Sequence, residues 1–374
     1  MSSGASTGGL LGVFHDTGAP GDSTDFTTLV ILHGHNWHGG TFSRLIPLTE
    51  RYNTRLVLVN RCDYPGGTPY TDEERAMVAK LTPDSDEALL AQARERFDRF
   101  LRDRAREVFD FLEGLVRRND IPPAQHEKNT GGIVVAGWSL GALWMTSLLA
   151  YAPSFPVNDV KLSGYVRRVI VFDTGNIVMG YPRRSGMYIR AFDPQLPPEE
   201  RAASYDVWDR ALAISSYYPH GGTLDTIALR PLNRPPPTLS TLSAEERSNM
   251  AFKPDGDLDS RIMLTGIQSG LFAAIRERAL LVPNDGGAGD SEDAVVPLVD
   301  AWKDVEARFV WGGKSLPEVS HAMLTLRSEV ENGKKEGVSL RKVKFVTVKE
   351  GNHFVHWDHP EHAMRALLGD DEVL

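Results

Sequence analysis

Five consecutive residues of this 374-residue chain have the types and spacing that acyl chemistry needs: Gly137-Trp138-Ser139-Leu140-Gly141. They follow a short apolar run at 133–136 and precede a helix-like apolar run that ends near Tyr151. A sharp strand-to-helix turn strains the serine backbone, and glycine two positions to either side removes side chains that would collide. The helix that follows directs N–H groups and the positive end of its dipole at the serine. The pattern predicts that Ser139 is a nucleophile, and the alternative is a glycine-rich connection without a chemical role.

A histidine near the end of the chain is placed to act as the base. A serine hydroxyl is a weak nucleophile at neutral pH and needs such a neighbour. His353 directly follows the apolar run at 343–348, in the sequence GNHFVHWDHPEHA. Proline is favoured at a first helical position, so a closing helix is predicted to begin near Pro360 and to leave His353 on the preceding loop. His353 is the predicted general base, and the neighbouring histidines are predicted to be surface or packing residues: His321, His356, His359 and His362.

Three pieces of the sequence resemble the α/β-hydrolase superfamily: Leu32-His33-Gly34, the pentapeptide around Ser139, and Gly351-Asn352-His353-Phe354 with the later His359-Pro360-Glu361. The likeness covers both ends of the chain, and the middle fits the variable cap of that family. The resemblance implies the chain order serine, acid, histidine. It also implies that the oxyanion-hole N–H groups belong to the residue after the His-Gly pair and the residue after the nucleophile, which are His35 and Leu140 here. The Arg-x-Asp pattern at Arg61 resembles a family loop and is predicted to be structural.

The acid of the triad is not where most family members carry it. The usual pattern is G-x-x-D after the penultimate strand, but here that place reads Gly312-Gly313-Lys314-Ser315. A neutral hydroxyl cannot stabilise an imidazolium as a carboxylate does. Some members place the acid one strand earlier, where Asp173 follows the apolar run at 169–172. Asp173 is therefore the predicted acid, with ordinary turn chemistry as the alternative. The remaining candidates are Glu318 and then Asp285, Asp290 and Asp293.

The elements that must position these residues alternate between strand and helix. Short apolar runs predict strands, and the spacing of three and four between apolar residues over 85–118 predicts a long helix. Continuous apolar strands separated by helices indicate a parallel sheet covered on both faces. We therefore predict the α/β-hydrolase fold, with a mostly parallel sheet and core segments at 1–179 and 290–374. The predicted strands lie at 27–32, 55–60, 133–136, 169–172, 307–311 and 343–348.

Residues 180–289 interrupt the alternation and predict an inserted, largely helical cap after the strand that follows the nucleophile helix. A cap buries an apolar face against the catalytic domain, and the gap between the two is typically the substrate pocket. Trp37 and Trp138 flank the predicted site and are predicted to bind substrate. The aromatic residues of the insert build either a small core or that pocket: Tyr181, Tyr188, Phe192, Tyr205, Trp208, Tyr217, Tyr218, Phe252 and Phe272.

The bulk properties narrow the possible partners. A formal net charge of −9 disfavours nucleic acid and anionic membranes. The sequence has no apolar run of about 18 residues, so no membrane span is predicted. The absence of a basic start before the short apolar stretch within 1–12, and the single cysteine Cys62, favour a cytoplasmic location. No cofactor or metal is expected, because His33, His35 and His38 lack a clustered carboxylate or cysteine. The oligomeric state is left open.

These observations predict a serine hydrolase for a medium-to-large apolar carboxylic ester or lactone. Ser139 attacks the carbonyl, His353 takes its proton, Asp173 orients His353, and water releases the acyl group. The alternatives on the same fold are acyl transfer, a lyase step or peptidase action. Epoxide and haloalkane hydrolysis are disfavoured because both normally need aspartate in the elbow. A small-molecule-binding protein on a hydrolase scaffold is a further alternative, which loses ground if the three residues lie within hydrogen-bond reach.

Overall fold

A single mixed sheet forms the centre of the described chain. The structure is a computed structural model that describes residues 11–82, 84–118, 121–157, 159–182, 184, 187, 195–203, 213–282 and 302–371. Within these residues, seven strands lie in the order β1-β3-β2-β4-β5-β6-β7. The strands are β1 Gly12–Asp16, β2 Thr27–Leu32, β3 Thr54–Asn60, β4 Ile133–Trp138, β5 Val166–Phe172, β6 Glu306–Gly312 and β7 Val343–Val348. Only the β1–β3 pair in this sheet is antiparallel, which confirms the predicted mostly parallel α/β fold.

The apolar runs become strands because both of their faces are covered. Every residue of β2, β3, β4, β5 and β6 is buried. Burial on both faces removes the alternation of apolar and polar residues, which is why these strands read as continuous apolar runs. The sequence does not predict β1, an edge strand whose Val13 and Phe14 are exposed.

Helices cover the sheet, and the longest one has a buried apolar face. The longest helix spans 32 residues within the range 85–118 that the periodicity predicts. Its buried face carries Phe97, Phe100, Val108 and Leu112. The closing helix begins at Pro360, as predicted. The helices are α1 Asp72–Met77, α2 Glu87–Arg118, α3 Ala142–Tyr151, α4 Asn176–Met179, α5 Thr238–Thr241, α6 Ala244–Ser248, α7 Leu258–Ser269, α8 Leu271–Leu280, α9 Pro317–Lys335, α10 Val355–Asp358 and α11 Pro360–Leu368. No helix in the described ranges is both long and apolar enough to cross a membrane.

The described part of the predicted cap divides into two stretches with different surroundings. Helices α7 and α8 pack on α2 and α3 of the main helical layer, and the Phe97 and Phe272 rings lie 5.9 Å apart. The stretch at 213–252, here called the cover segment, contacts loops at the carboxyl edge of the sheet instead. The division of the chain at 179 and 289 stays a prediction. Four of the predicted cap aromatics lie outside the described residues: Tyr188, Phe192, Tyr205 and Trp208.

The sheet topology brings the candidate residues to one edge. Parallel neighbours end at the same edge, so the segments that follow β2, β4, β5, β6 and β7 meet there. These segments carry the residues singled out from the sequence: His35, Ser139, Asp173, Ser315 and His353.

Candidate active site

The turn at Ser139 has the strained backbone that its glycines predict. Ser139 follows β4 with a φ of +54° and remains partly exposed. A Cβ on Gly137 would lie 2.1 Å from the Gly141 carbonyl oxygen, and a Cβ on Gly141 would lie 2.6 Å from the His33 carbonyl oxygen. Real side chains cannot approach backbone so closely, so both positions require glycine. The serine is thereby presented at the edge of the sheet, immediately before α3.

His353 and Asp173 meet across a large distance in the chain. His353 Nδ1 lies 2.6 Å from Asp173 Oδ2, although the residues are 180 positions apart. The two residues are only 5% and 0% exposed. Because a carboxylate oxygen accepts, Nδ1 carries the proton and donates it, which leaves the lone pair on Nε2. This geometry holds the imidazole in the tautomer that can accept a proton.

The Asp173 carboxylate is fixed by three donors. Its Oδ1 accepts the Gly312 N–H at 2.7 Å, and its Oδ2 accepts the Ser315 hydroxyl at 2.6 Å as well as His353 Nδ1. Ser315 occupies the position where most family members carry the acid, and here its hydroxyl donates to Asp173, which follows the neighbouring strand β5. The sequence shows the departure at Ser315 but gives no signal that its hydroxyl donates to Asp173.

Glu318, the second candidate for the acid, makes no hydrogen bond or ion pair with His353 within the described residues. Its side chain packs on Gly175, where a Cβ would come within 2.8 Å of Glu318 Cγ. Burial raises the pKa of Glu318 to about 7, and its Oε1 has no hydrogen-bond partner within the described residues. The carboxylate in contact with His353 is that of Asp173. The remaining candidates, Asp285, Asp290 and Asp293, lie outside the described residues.

Comparison with known proteins identifies the family of the chain. The model of the alpha/beta hydrolase family matches residues 29–367. The chain belongs to the α/β-hydrolase family. No curated protein matches this hydrolase.

Solved structures similar to this hydrolase share little of its sequence. A point mutant of an epoxide hydrolase from Solanum tuberosum is 16% identical, with 94% of this chain and 92% of that chain covered and a TM-score of 0.45. An epoxide hydrolase from Vigna radiata is 13% identical, with 94% and 91% covered and a TM-score of 0.40. A lipase-esterase related protein from Clostridium acetobutylicum is 14% identical, with 94% and 96% covered and a TM-score of 0.38.

Trp138 hydrogen-bonds to the loop that carries His353 and packs against the His353 ring. Its indole Nε1 donates to the His353 carbonyl oxygen at 3.0 Å, and the two rings lie 4.8 Å apart. The Trp138 side chain is 0% exposed, so it offers no surface to a ligand, in contrast to its predicted substrate contact. Burial and the neighbouring His353 lower the pKa of His356 well below its ordinary value. Neutral His356 packs against Trp138, with 4.7 Å between the ring centroids.

The loop after β2 lies next to both the serine and the histidine loop. A Cβ on Gly34 would lie 2.8 Å from Ser139 Cβ, so the backbone before His35 runs against the elbow. The Trp37 ring meets Phe354 edge-on at 5.1 Å. Leu140 follows Ser139 in the first turn before α3. The oxyanion roles of His35 and Leu140 and the substrate contact of Trp37 stay predictions.

The cover segment joins the two loops that flank Ser139. At one end the Asn352 side-chain amide donates to the Ser215 carbonyl oxygen at 2.6 Å. At the other end the Phe252 N–H donates to the Asn36 carbonyl oxygen at 2.9 Å. The segment therefore connects the histidine loop to the loop after β2.

Proposed function

We propose that this α/β hydrolase is a serine hydrolase that cleaves a carboxylic ester or lactone through an acyl-enzyme intermediate. The observation that carries the proposal is the buried 2.6 Å contact between His353 Nδ1 and Asp173 Oδ2, beside an elbow that presents Ser139. Nucleophile, base and orienting acid are the three parts that activate a serine hydroxyl.

The reaction follows from these positions. His353 Nε2 accepts the proton of the Ser139 hydroxyl as its oxygen attacks the substrate carbonyl. The backbone amides of His35 and Leu140 donate to the oxyanion of the tetrahedral intermediate. Asp173 stabilises the imidazolium, which then protonates the departing alkoxide. Water, deprotonated by His353, attacks the acyl-enzyme, and the imidazolium returns the proton to the departing Ser139 oxygen as the carboxylic acid is released.

The serine nucleophile favours carbonyl chemistry over epoxide and haloalkane hydrolysis. A serine alkoxide adds readily to a polarised carbonyl, whereas epoxide and haloalkane hydrolysis use an aspartate at the elbow. The hydrogen-bonded pair of Asp173 and His353 weighs against a binding protein without turnover, since such a protein has no need of an oriented base. Trp37, whose ring packs edge-on against the buried Phe354, supports an apolar substrate of medium to large size.

Active-site labelling tests the proposal directly. A fluorophosphonate probe and p-nitrophenyl esters are applied to the wild type, to Ser139→Ala, and to Ser154→Ala as an exposed control. We expect the label on Ser139, and Ser139→Ala should lose at least about 10⁴-fold in kcat. Ser154→Ala should match the wild type. A wild type that neither reacts with the probe nor hydrolyses any ester would overturn the proposal.

A further inference from the structure

A buried ion pair is hydrogen-bonded to the loop after β2, which packs against Ser139. Arg61 follows β3 and is completely buried, and its guanidinium binds both carboxylate oxygens of Asp259 at 2.9 and 2.7 Å. Asp259 belongs to α7 and lies 198 positions away in the chain. Burial alone would raise the pKa of Asp259, but the charge and hydrogen bonds of Arg61 hold it well below its ordinary value. The pair is therefore a fixed, charged, two-point contact.

The same guanidinium binds the backbone of the loop after β2. Arg61 Nη2 donates to the Gly34 carbonyl oxygen at 3.0 Å, and Arg61 Nε donates to the His33 carbonyl oxygen at 3.3 Å. On the far side of His35, the Asn36 N–H donates to the Tyr64 hydroxyl at 3.0 Å. The backbone is thus held on both sides of His35.

His33 adds a second donor to the Gly34 carbonyl. The Arg61 backbone N–H donates to His33 Nε2 at 3.1 Å, so the ring proton lies on Nδ1. His33 Nδ1 is 2.8 Å from the Gly34 carbonyl oxygen and donates to it. Burial and the charge of Arg61 lower the pKa of His33 well below its ordinary value, which keeps the ring neutral in this tautomer. Two donors therefore fix the direction of one peptide plane.

That peptide plane carries the amide of His35. In a trans peptide the C=O and N–H groups point in opposite directions, so a carbonyl held towards Arg61 turns the His35 N–H away from it. An oxyanion donor is effective when its direction is set before the substrate arrives. We propose that Arg61, held by Asp259, is a positioning residue that aims the His35 amide at the oxyanion. The inference rests on the proposed serine-hydrolase function.

The test compares two buried groups of charges. The double variant Arg61→Met/Asp259→Met removes both charges together and keeps apolar bulk, so that no unpaired charge is left in the interior. Arg61→Lys keeps the charge but loses the fork that binds two carbonyls and a carboxylate. The matched control is Arg104→Met/Glu74→Met/Glu107→Met, since these three residues form another buried cluster of charges that makes no hydrogen bond to Gly34 within the described residues. Thermal unfolding of each variant is followed alongside kinetics.

We expect kcat for p-nitrophenyl butyrate to fall roughly 10- to 100-fold in both Arg61 variants while KM changes by less than about threefold. The affinity for a trifluoromethyl ketone, which forms an oxyanion on the serine, should fall by the same factor. The Arg104 control should keep the kcat of the wild type. Arg61→Lys supplies the same comparison if the double variant does not fold.

The inference is overturned if both Arg61 variants retain kcat within about twofold, or if the Arg104 control loses as much as they do. Failure of the proposed function is distinguishable, because the wild type itself would then remain unlabelled at Ser139 and inactive towards the ester.

Discussion

At the scale of single residues, the contacts of Asp173 support its proposed role as the acid. Asp173 Oδ2 accepts both the His353 ring N–H and the Ser315 hydroxyl, while Oδ1 accepts a backbone N–H. These three donors hold the carboxylate in a single orientation, in which it binds the imidazole. Glu318 is also buried but makes no hydrogen bond through Oε1 within the described residues. Two carboxyl groups near the same edge therefore have different surroundings and different expected roles.

Isosteric amide substitutions separate these roles. Asp173→Asn should lower kcat by about 10⁴-fold, because an amide cannot hold the same imidazole tautomer or stabilise the imidazolium. Glu318→Gln should retain kcat within about threefold, since Glu318 does not touch the reacting groups. The measurement is steady-state ester hydrolysis with purified variants. The opposite ranking of the two variants would assign the acid to Glu318.

At the scale of elements, the cover segment is anchored by hydroxyl groups. Asp358, at the end of α10, accepts hydrogen bonds from the Tyr217 hydroxyl at 2.5 Å and from the Thr238 hydroxyl. The Asn352 side chain also donates to Thr238 Oγ1 at 2.8 Å. These contacts tie the segment to the same loop that carries His353. Local stability of the cover segment and placement of the histidine loop are therefore coupled.

Removing the anchoring hydroxyls should loosen the cover segment alone. In Tyr217→Phe/Thr238→Val, we expect faster amide hydrogen exchange across 213–252, unchanged exchange in β4 and β5, and a KM that rises more than kcat falls. Tyr181→Phe is the control, since it removes a hydroxyl that binds Glu329 at 2.7 Å outside the cover segment. Exchange that stays the same in the cover segment, or rises equally in the sheet, would contradict the prediction.

At the scale of the whole molecule, the buried Glu318 makes folding depend on pH. Its pKa is raised by burial from 4.5 to about 7, so the folded chain binds a proton that the unfolded chain has released between these values. The free energy of unfolding therefore falls as pH rises through this window and levels off above it. The contribution of this one group is at most about 3 kcal/mol.

Glu318→Gln should abolish this dependence. An amide has no proton to lose, so the variant should match the wild type near pH 5 and exceed it by about 1 to 3 kcal/mol at pH 8. Urea unfolding at both pH values measures the difference. Glu50→Gln, on an exposed residue, serves as the control. A stability difference between Glu318→Gln and the wild type that is independent of pH would contradict the prediction.

The sequence predicts most of this architecture because strands that are buried on both faces appear in it as continuous apolar runs. It predicts the strands from β2 to β7 and the elbow, whose glycines are required by contacts within a few residues or with the adjacent strand. It misses β1, whose exposed edge carries no continuous apolar run. It also misses the 3₁₀ helix at Gly39–Leu48, which begins with two glycines and contains Pro47.

The long-range contacts of the site cannot be predicted from local sequence patterns. Ser315 reaches Asp173 across 142 positions, and Arg61 reaches Asp259 across 198. Neither spacing corresponds to a periodic pattern or a motif. The order of strands in the sheet brings Ser315 to Asp173, and the packing of α7 brings Asp259 to Arg61. The sequence points to Asp173 through the serine at the usual position of the acid and through the resemblance to family members that carry the acid one strand earlier.

The order of the three site residues along the chain has a consequence for biosynthesis. Ser139 and Asp173 leave the ribosome long before His353, which lies 180 residues after Asp173 and follows the edge strand β7. During that interval the nascent chain contains a nucleophile and an acid but no base, so on the proposed mechanism it cannot hydrolyse esters. Esterase activity should therefore appear only after β7 and His353 have been synthesised and the last strand has paired with β6.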